Sequence, residues 1–288
     1  MTEKILTSWK EVQEEFNQFN PVYNNLGIYG VYDTIKDFSI FRGHKEQFWV
    51  ISPTLERKSL KNSIDNIVFE FVQKVDLFEN DSSKDKNNLE IFSLMRHYGV
   101  PSPLVDFTFS PYIALFFAFY SLLDEEYFGL TKKQISQRIK KVKQNYCVVY
   151  SLNYYLLNKL DGKEREFNYE KYLINSEKEF NNFYYSKQSR ARAFLPNKYN
   201  KRISSQQGLF LCLSKGNGNS MHEELLNCSE KIKLIKYKIP QSLTPMILFE
   251  LNKMNINHST MFPSIEGLAA HIALKEKIRV LNRILNEK

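Results

Sequence analysis

The chain has 288 residues, 43% of them hydrophobic and 14% aromatic, and its formal net charge at pH 7 is +8. This length is ample for one large domain or two small ones, and the composition is that of a globular protein with a hydrophobic core. The apolar run at residues 111–123 is shorter than the ~20 residues that a membrane span needs, and the first residues contain no hydrophobic signal core.

The cysteines and histidines do not suggest a metal site. Cys147, Cys212 and Cys228 are widely spaced, no two of them have CxxC spacing, and the histidines show no ligand spacing with them. We therefore expect reduced thiols, a cytoplasmic location and no metal. The sequence also lacks a P-loop, an HExxH pair and a GxSxG nucleophile elbow, which excludes three common classes of enzyme site.

Hydrophobic periodicity predicts the secondary structure along the chain. Helices are predicted at residues 7–19, 59–75, 89–98, 111–123, 125–144, 152–161, 177–184, 222–226, 243–254 and 264–285. Extended segments are predicted at residues 27–32, 39–41, 47–51, 104–108, 146–150, 208–213 and 231–239.

These elements mix without the strict alternation of a doubly wound sheet, so we predict an α+β fold. The expected architecture is a single mixed domain with a small, largely antiparallel sheet flanked by helices. An N-terminal helical lead-in at residues 1–24 is expected to precede the domain at 25–288. That domain is expected to contain a helical insertion near 125–145 and to end in a C-terminal helix.

Residues 92–120 are the most informative stretch. A helix is expected to end at Gly99, which tolerates a C-cap conformation, because prolines that cannot continue a helix follow it. A short strand at 104–108 then leads to Ser110, a good N-cap for an apolar helix that begins with proline. Polar side chains therefore crowd the ends of elements, where such side chains share clefts; these are His97, Asp106, Thr108 and Ser110.

Several pieces of the chain follow one family pattern. They are Phe41-Arg42-Gly43, His97-Tyr98-Gly99-Val100-Pro101, Leu104-Val105-Asp106-Phe107-Thr108, Ser110-Pro111, Ala114-Leu115-Phe116-Phe117-Ala118, Arg202-Ile203, Gln206-Gln207-Gly208-Leu209-Phe210, Met261-Phe262-Pro263 and Glu266-Gly267-Leu268. The chain resembles the FRG domain, a bacterial family named for the Phe-Arg-Gly tripeptide. The resemblance runs from about residue 40 to residue 272, nearly the whole chain.

The order of polar residues in this pattern is similar to that of ADP-ribosyltransferases, in which an Arg follows a first strand and a Glu or Gln comes late. The resemblance implies an ADP-ribosyltransferase-like fold with an NAD site, and an intracellular bacterial effector of stress or phage defence. It implies catalytic roles for Arg42, His97, Asp106 and Glu266, and ligand-binding roles for Tyr98, Thr108, Ser110 and Gln206. Glu266 or Asp106 would supply the negative charge that faces an oxocarbenium-like cation.

Other interpretations of the same residues stay open. Arg42 could form a structural ion pair with Asp106 or Glu266, and His97 could cap its helix. A metal-independent nuclease would use His97 and His44 as acid and base, with Arg42 on the scissile phosphate. A non-catalytic module would bind a nucleotide or a partner protein through the same cleft.

A basic segment lies between residues 180 and 222, where the sequence has no acidic residue and many aromatic ones. Cations interleaved with aromatic rings suit phosphates and stacked bases, so we predict a nucleic-acid patch. A solvated basic face over core aromatics is the alternative. The residues of the predicted patch are Lys187, Arg190, Arg192, Lys198, Lys201 and Arg202.

Overall fold

A computed structural model describes residues 1–19, 38–78, 86–122, 145–160, 177–188, 190–196, 201–216 and 218–286. These residues form one seven-stranded sheet in the order β1-β7-β4-β2-β3-β6-β5. Every neighbouring pair is antiparallel except β1 with β7. The strands are β1 (Thr2–Ile5), β2 (Ser39–His44), β3 (Leu104–Thr108), β4 (Tyr146–Asn153), β5 (Ala191–Phe194), β6 (Gly208–Leu213) and β7 (Ile235–Pro240). The mixed, largely antiparallel arrangement is confirmed, but the sheet is larger than the small one predicted.

The helices of the described residues pack around this sheet. They are α1 (Trp9–Phe16), α2 (Thr54–Arg57), α3 (Ile64–Val75), α4 (Asn88–His97), α5 (Pro111–Phe119), α6 (Tyr154–Lys159), α7 (Glu177–Tyr184), α8 (Lys201–Ser205), α9 (Met221–Asn227), α10 (Thr244–Lys253), α11 (His258–Met261) and α12 (Ile265–Asn286). Within the described ranges, no helix is long and apolar enough to cross a membrane.

Helix α5 is the centre of the core on one face of the sheet. Its apolar side chains pack with Phe16 of α1, Phe41 of β2 and Tyr237 of β7. Gly43 is the point of closest approach, because a Cβ there would lie 1.9 Å from the carbonyl oxygen of Ala114. Only glycine therefore lets the backbone of α5 lie this close to β2.

Two further clusters complete the core. On the opposite face, α6 and α9 cover residues of β4 and β6, including Val148 and Leu211. Helices α3, α4 and α7 enclose a third cluster, in which Phe92 packs against the rings of Phe180 and Tyr184. These helices hold β3 and its loops in place, which fixes the position of the polar residues at the strand ends.

The sheet opens between β2 and β3. The two strands share a single register pair, Phe41 with Thr108. By contrast, β2 pairs with β4 along its whole length, from Ser39 to His44, and β3 does the same with β6. The residues of β2 after Phe41 therefore face a gap in the middle of the sheet.

Several sequence predictions agree with the structure in detail. The strand at 104–108 is confirmed residue for residue, and Ser110 caps α5 by accepting a hydrogen bond from the N–H of Ile113. Helix α1 lies within the helix predicted at residues 7–19, with Ser8 as its N-cap, and α4 ends as expected, with Gly99 in the left-handed region at φ 78°. The C-terminal helix is present as α12.

Other element predictions were wrong or incomplete. Residues 47–51 form no strand, because their β-favouring side chains have no neighbouring strand to pair with. The strand predicted at 231–239 begins only at Ile235. The short strands β1 and β5 were not predicted, since their sequences show little apolar alternation.

The predicted organisation of the chain is only partly described. The insertion near 125–145 lies almost wholly outside the described residues, and so does the extended segment predicted at 27–32. The lead-in contains α1 as expected, while β1 adds a strand to the sheet through its pairing with β7. The division at residue 24 stays a prediction.

Candidate functional site

A cleft of about 940 Å³ opens where β2 and β3 separate, which is within the range of ~300–1,000 Å³ that ligand pockets have. Residues from β2, the loop after it, α4, β3, α5 and α8 line it. They include Arg42, His44, Lys45, Phe48, Trp49, Arg57, Ser93, Arg96, His97, Asp106, Thr108, Phe117, Tyr120, Arg202, Gln206 and Phe262.

Arg42 lies at the mouth of the gap between the strands. Its neighbours Phe41 and Gly43 face α5, so the alternation of β2 directs Arg42 to the opposite face. Its Nη1 donates to the backbone carbonyl oxygen of Asp106 at 2.6 Å, and its Nε donates to the Nε2 of His44 at 2.9 Å. Burial lowers the pKa of Arg42 to about 10, so the guanidinium stays charged at neutral pH.

His44 fixes the orientation of this guanidinium. Because the Nε of Arg42 always carries a proton, the Nε2 of His44 must be the acceptor. The proton of the neutral ring is then on Nδ1, which donates to the carbonyl oxygen of Trp49 at 3.2 Å. Burial, followed by the charge of Arg42, lowers the pKa of His44 to about 3. The ring is therefore neutral at pH 7.

The carboxylate of Asp106 pairs with Arg96. Its Oδ2 accepts hydrogen bonds from the Nε and Nη2 of Arg96, at 2.8 and 2.5 Å. Burial opposes ionisation, but the charge and hydrogen bonds of Arg96 outweigh it, so the pKa of Asp106 is lowered. Arg96, in the last turn of α4, is therefore the ion-pair partner of Asp106, in place of the Arg42–Asp106 ion pair that the sequence left open.

Positive charge dominates the lining of the cleft. Asp106 is the one acidic residue among the described lining residues, against five that are basic: Arg42, Lys45, Arg57, Arg96 and Arg202. These cations are close enough to affect each other. Burial lowers the pKa of Arg57, and the charge of Arg96 lowers it further. A cleft of this charge favours an anionic ligand.

Aromatic side chains line the same cleft. Phe48 and Trp49 are exposed on the loop after β2, and Phe117 and Tyr120 are half-buried on α5 and at its end. The guanidinium of Arg202 lies 5.1 Å from the centre of the Phe262 ring. Such rings offer flat apolar surfaces next to the cations, a combination that suits nucleotides.

The structure brings only some of the predicted site residues into the cleft. His97 lines it from the last turn of α4, and its ring centroid lies 4.8 Å from that of Tyr98. Tyr98 itself is exposed and does not line the cleft. Glu266 is exposed in the first turn of α12 and does not line the cleft. A hydrogen bond from Ser264 lowers the pKa of Glu266.

Thr108, Ser110 and Gln206 have structural bonds. Thr108 donates its hydroxyl to the carbonyl oxygen of Gln206 at 2.8 Å and accepts from the N–H of Ser110 at 3.1 Å. The amide of Gln206 donates to the carbonyl oxygen of Met261 at 2.8 Å. These bonds connect three parts of the chain: the start of α5, the turn that precedes β6, and the end of α11. They hold one wall of the cleft in place. Ser110 does not line the cleft.

The basic segment does not form one surface with the cleft. Arg202 lines the cleft, whereas Lys187, Arg190, Arg192 and Lys201 do not. Arg192 belongs to β5, the edge strand of the sheet, and Lys201 begins α8 with its side chain exposed. Lys198 lies outside the described residues.

Sequence reasoning did not select Arg57, Arg96 or Trp49. A signal for Arg96 was present, because Ser93, Arg96 and His97 have the spacing of neighbours on one face of a helix. Trp49 lies in a segment predicted to be extended, and Arg57 lies between that segment and the next predicted helix, so no local pattern places either of them in the cleft. Among the described residues, no group of three or more His, Cys, Asp or Glu side chains could hold a metal ion.

The family model of the FRG domain matches residues 37–126. The chain contains an FRG domain. The match covers β2 through α5, so it includes Arg42, Arg96 and Asp106. The later pieces of the pattern, around Arg202 and Glu266, lie beyond it. No curated protein and no solved structure matches the chain.

The matched region gives a physical reason for the tripeptide that names the domain. Phe41 anchors β2 in the core against α5, and Gly43 allows the close approach of that helix. Between them, Arg42 is directed to the other face, where the sheet opens. The tripeptide thus holds one guanidinium at the mouth of the cleft.

Proposed function

We propose that the cleft of this FRG domain binds a nucleotide with a diphosphate group, with NAD as the leading candidate. The excess of cations over acidic groups among the described lining residues is the observation that carries this proposal. Guanidinium groups bind phosphate oxygens in bidentate fashion, and the aromatic rings beside them suit the base and the nicotinamide. The volume of the cleft is adequate for a dinucleotide.

Arg42 is the proposed anchor for the diphosphate. A guanidinium has five N–H donors, and two hydrogen bonds to described residues engage Arg42, through Nε and Nη1. The remaining donors have no acceptor among the described residues. A half-buried cation with unused donors favours an anion that enters the cleft.

Asp106 is the proposed counter-charge if the site is ADP-ribosyltransferase-like. Departure of nicotinamide leaves an oxocarbenium-like cation, which a fixed carboxylate stabilises. The lowered pKa of Asp106 keeps it ionised, and Arg96 fixes its position. Glu266 is not proposed for this role, because its side chain is exposed on α12, outside the cleft.

The nuclease hypothesis has less support. It needs His44 as an acid or a base, but the Nε2 lone pair of that ring accepts from Arg42. A pKa of about 3 also leaves His44 without a proton to donate from that position at neutral pH. A binding module without turnover remains the alternative, and it would use the same cations.

The direct test measures binding and turnover separately. NAD binding is followed by calorimetry, and nicotinamide release and label transfer to proteins or nucleic acids are followed in a cell extract. We expect saturable binding that Arg42→Lys abolishes and turnover that Asp106→Asn abolishes while binding persists. Binding without any product would support the non-catalytic module, and absence of NAD binding would refute the proposal.

The biological role follows as a further step of the same proposal. An enzyme that consumes NAD or modifies a cellular target in bacteria would act as an effector of stress or phage defence. Expression of the chain should then arrest growth, and the Asp106→Asn variant at equal abundance should not. Growth arrest by the Asp106→Asn variant as well as by the parent chain would exclude this catalytic route.

A further inference from the structure

The loop after β2 carries an exposed tryptophan at the edge of the cleft, and hydrogen bonds hold its backbone in place. The N–H of Trp49 donates to the carbonyl oxygen of Glu46 at 3.2 Å. Its own carbonyl oxygen accepts from the Nδ1 of His44 and from the hydroxyl of Tyr150, both at 3.2 Å. The backbone of Trp49 is therefore held on both sides of its Cα, although its side chain is 54% exposed.

The same histidine holds Trp49 and Arg42. One nitrogen of His44 accepts from the guanidinium, and the other donates to the backbone of Trp49. The ring of His44 itself packs against Tyr150 of β4, with centroids 5.3 Å apart, and lies 6.2 Å from the ring of Trp49. One histidine thus positions both the guanidinium of Arg42 and the backbone that carries the indole.

An exposed indole is unfavourable in water unless something covers it, because its large apolar surface stays hydrated. Here it lines a cationic cleft, next to a guanidinium with unused donors. A ligand with a phosphate at one end and a flat ring at the other would satisfy both groups. Since the Trp49 backbone is already ordered, little conformational entropy is lost when a ring stacks on it.

We propose that Trp49 is the surface on which the base of the bound nucleotide stacks, with His44 as the positioning residue that ties it to Arg42. This inference rests on the proposed function and adds to it the residue that recognises the base of the nucleotide. Phe78, which follows α3, is 86% exposed and does not line the cleft, so it serves as the matched comparison.

Fluorescence provides the first test, because the chain has two tryptophans. Trp9 of α1 packs against Tyr112 of α5, and Trp9→Phe leaves Trp49 as the single reporter. ADP and inorganic pyrophosphate differ by the nucleoside. We expect saturable quenching of Trp49 by ADP and little by pyrophosphate, even where pyrophosphate binds. Equal quenching by both, or binding of ADP without quenching, would overturn the inference.

Substitution provides the second test. Trp49→Leu should weaken ADP binding by about 5- to 150-fold, the range expected for the loss of one base–aromatic stack, and should leave pyrophosphate binding nearly unchanged. Phe78→Leu should change neither affinity. A comparable loss of ADP binding in Phe78→Leu, or no loss in Trp49→Leu while ADP still binds, would refute stacking on Trp49 and leave the nucleotide site intact. Failure of ADP, NAD and pyrophosphate to bind at all would refute both proposals.

Discussion

The guanidinium of Arg42 bonds the backbone carbonyl oxygen of Asp106, at 2.6 Å, and not its carboxylate. An unbroken antiparallel ladder would supply a backbone N–H to a carbonyl that faces the neighbouring strand. Here β2 and β3 have separated, and the Arg42 side chain satisfies the acceptor instead. Arg42 thus replaces a missing backbone hydrogen bond between β2 and β3, and it also places a positive charge in the cleft between them.

Replacement of Arg42 by Lys should separate its role in binding from its role in the fold. Lys keeps the charge but has no planar fork, so it cannot hold His44, the Asp106 carbonyl and a phosphate together. We expect loss of NAD binding and a fall of about 1–3 kcal/mol in the free energy of unfolding, from the acceptors left unpaired. Calorimetry and urea unfolding measure the two effects.

The matched control is Arg279→Lys, an exposed arginine on α12. It should change neither quantity. If Arg42→Lys unfolds the protein while NAD affinity of the folded fraction is unaffected, Arg42 is a structural residue and not a ligand.

Gly43→Ala should strongly destabilise the protein. The new Cβ would meet the carbonyl oxygen of Ala114 at 1.9 Å and the N of Ala118 at 2.7 Å, both of which belong to the backbone of α5. Relief requires a shift of α5 from β2, and overpacking of a core in this way costs about 1–3 kcal/mol or more. Thermal unfolding monitored by circular dichroism measures the loss.

Gly208→Ala tests the specificity of that effect, because its Cβ would have ordinary contacts at 3.4 Å with Ile203. It should be nearly neutral. Equal losses in the two variants would show that glycine matters at Gly43 for a reason other than the contact with α5.

The sequence predicted the parts of this site that depend on local rules. The end of α4 at Gly99, the strand of Asp106 and the cap of α5 by Ser110 follow from capping and alternation, and all are present. The pairing of side chains across the gap did not follow from those rules. Whether Asp106 bonds Arg42, Arg96 or His97 depends on the packing of α4 against β3, which no local pattern encodes.

The same limit explains Trp49 and Glu266. Trp49 lies in a segment whose composition favours a strand, but no partner strand is available, so the segment becomes an exposed loop at the cleft. Glu266 was selected from its late position in a family order. Its side chain is instead exposed in the first turn of α12.

His44 should make stability depend on pH. Its pKa is about 3 in the folded protein and ~6.5 in an unfolded chain, so the unfolded state takes up the proton first as the pH falls. The stabilisation from the neutral ring is fully present above pH 6.5 and declines toward pH 3, by up to about 1.4 kcal/mol per pH unit.

Urea unfolding at several pH values between 7 and 4 measures this slope. His44→Gln, which retains one acceptor and one donor, should lower stability at pH 7 but flatten the slope. His271→Gln, on the surface of α12, should leave the slope closer to that of the parent. An unchanged slope in His44→Gln would show that other groups cause the acid sensitivity.

The basic segment and the cleft should respond to different substitutions. Arg190, Arg192 and Lys201 do not line the cleft, whereas Arg202 does and lies over the ring of Phe262. Replacement of the first three by Ala should leave NAD affinity unchanged. If this segment contacts nucleic acid, the triple variant should bind duplex DNA more weakly, and the slope of log affinity against log salt should flatten by up to about 2–3.

Arg202→Ala should have the opposite pattern of effects. It should weaken NAD binding and change the salt slope by at most about 1, the effect of one phosphate contact. Filter binding at a series of salt concentrations, with calorimetry for NAD, distinguishes the two surfaces. A triple variant with the affinity and salt dependence of the parent would identify the segment as a solvated basic face that covers core aromatics.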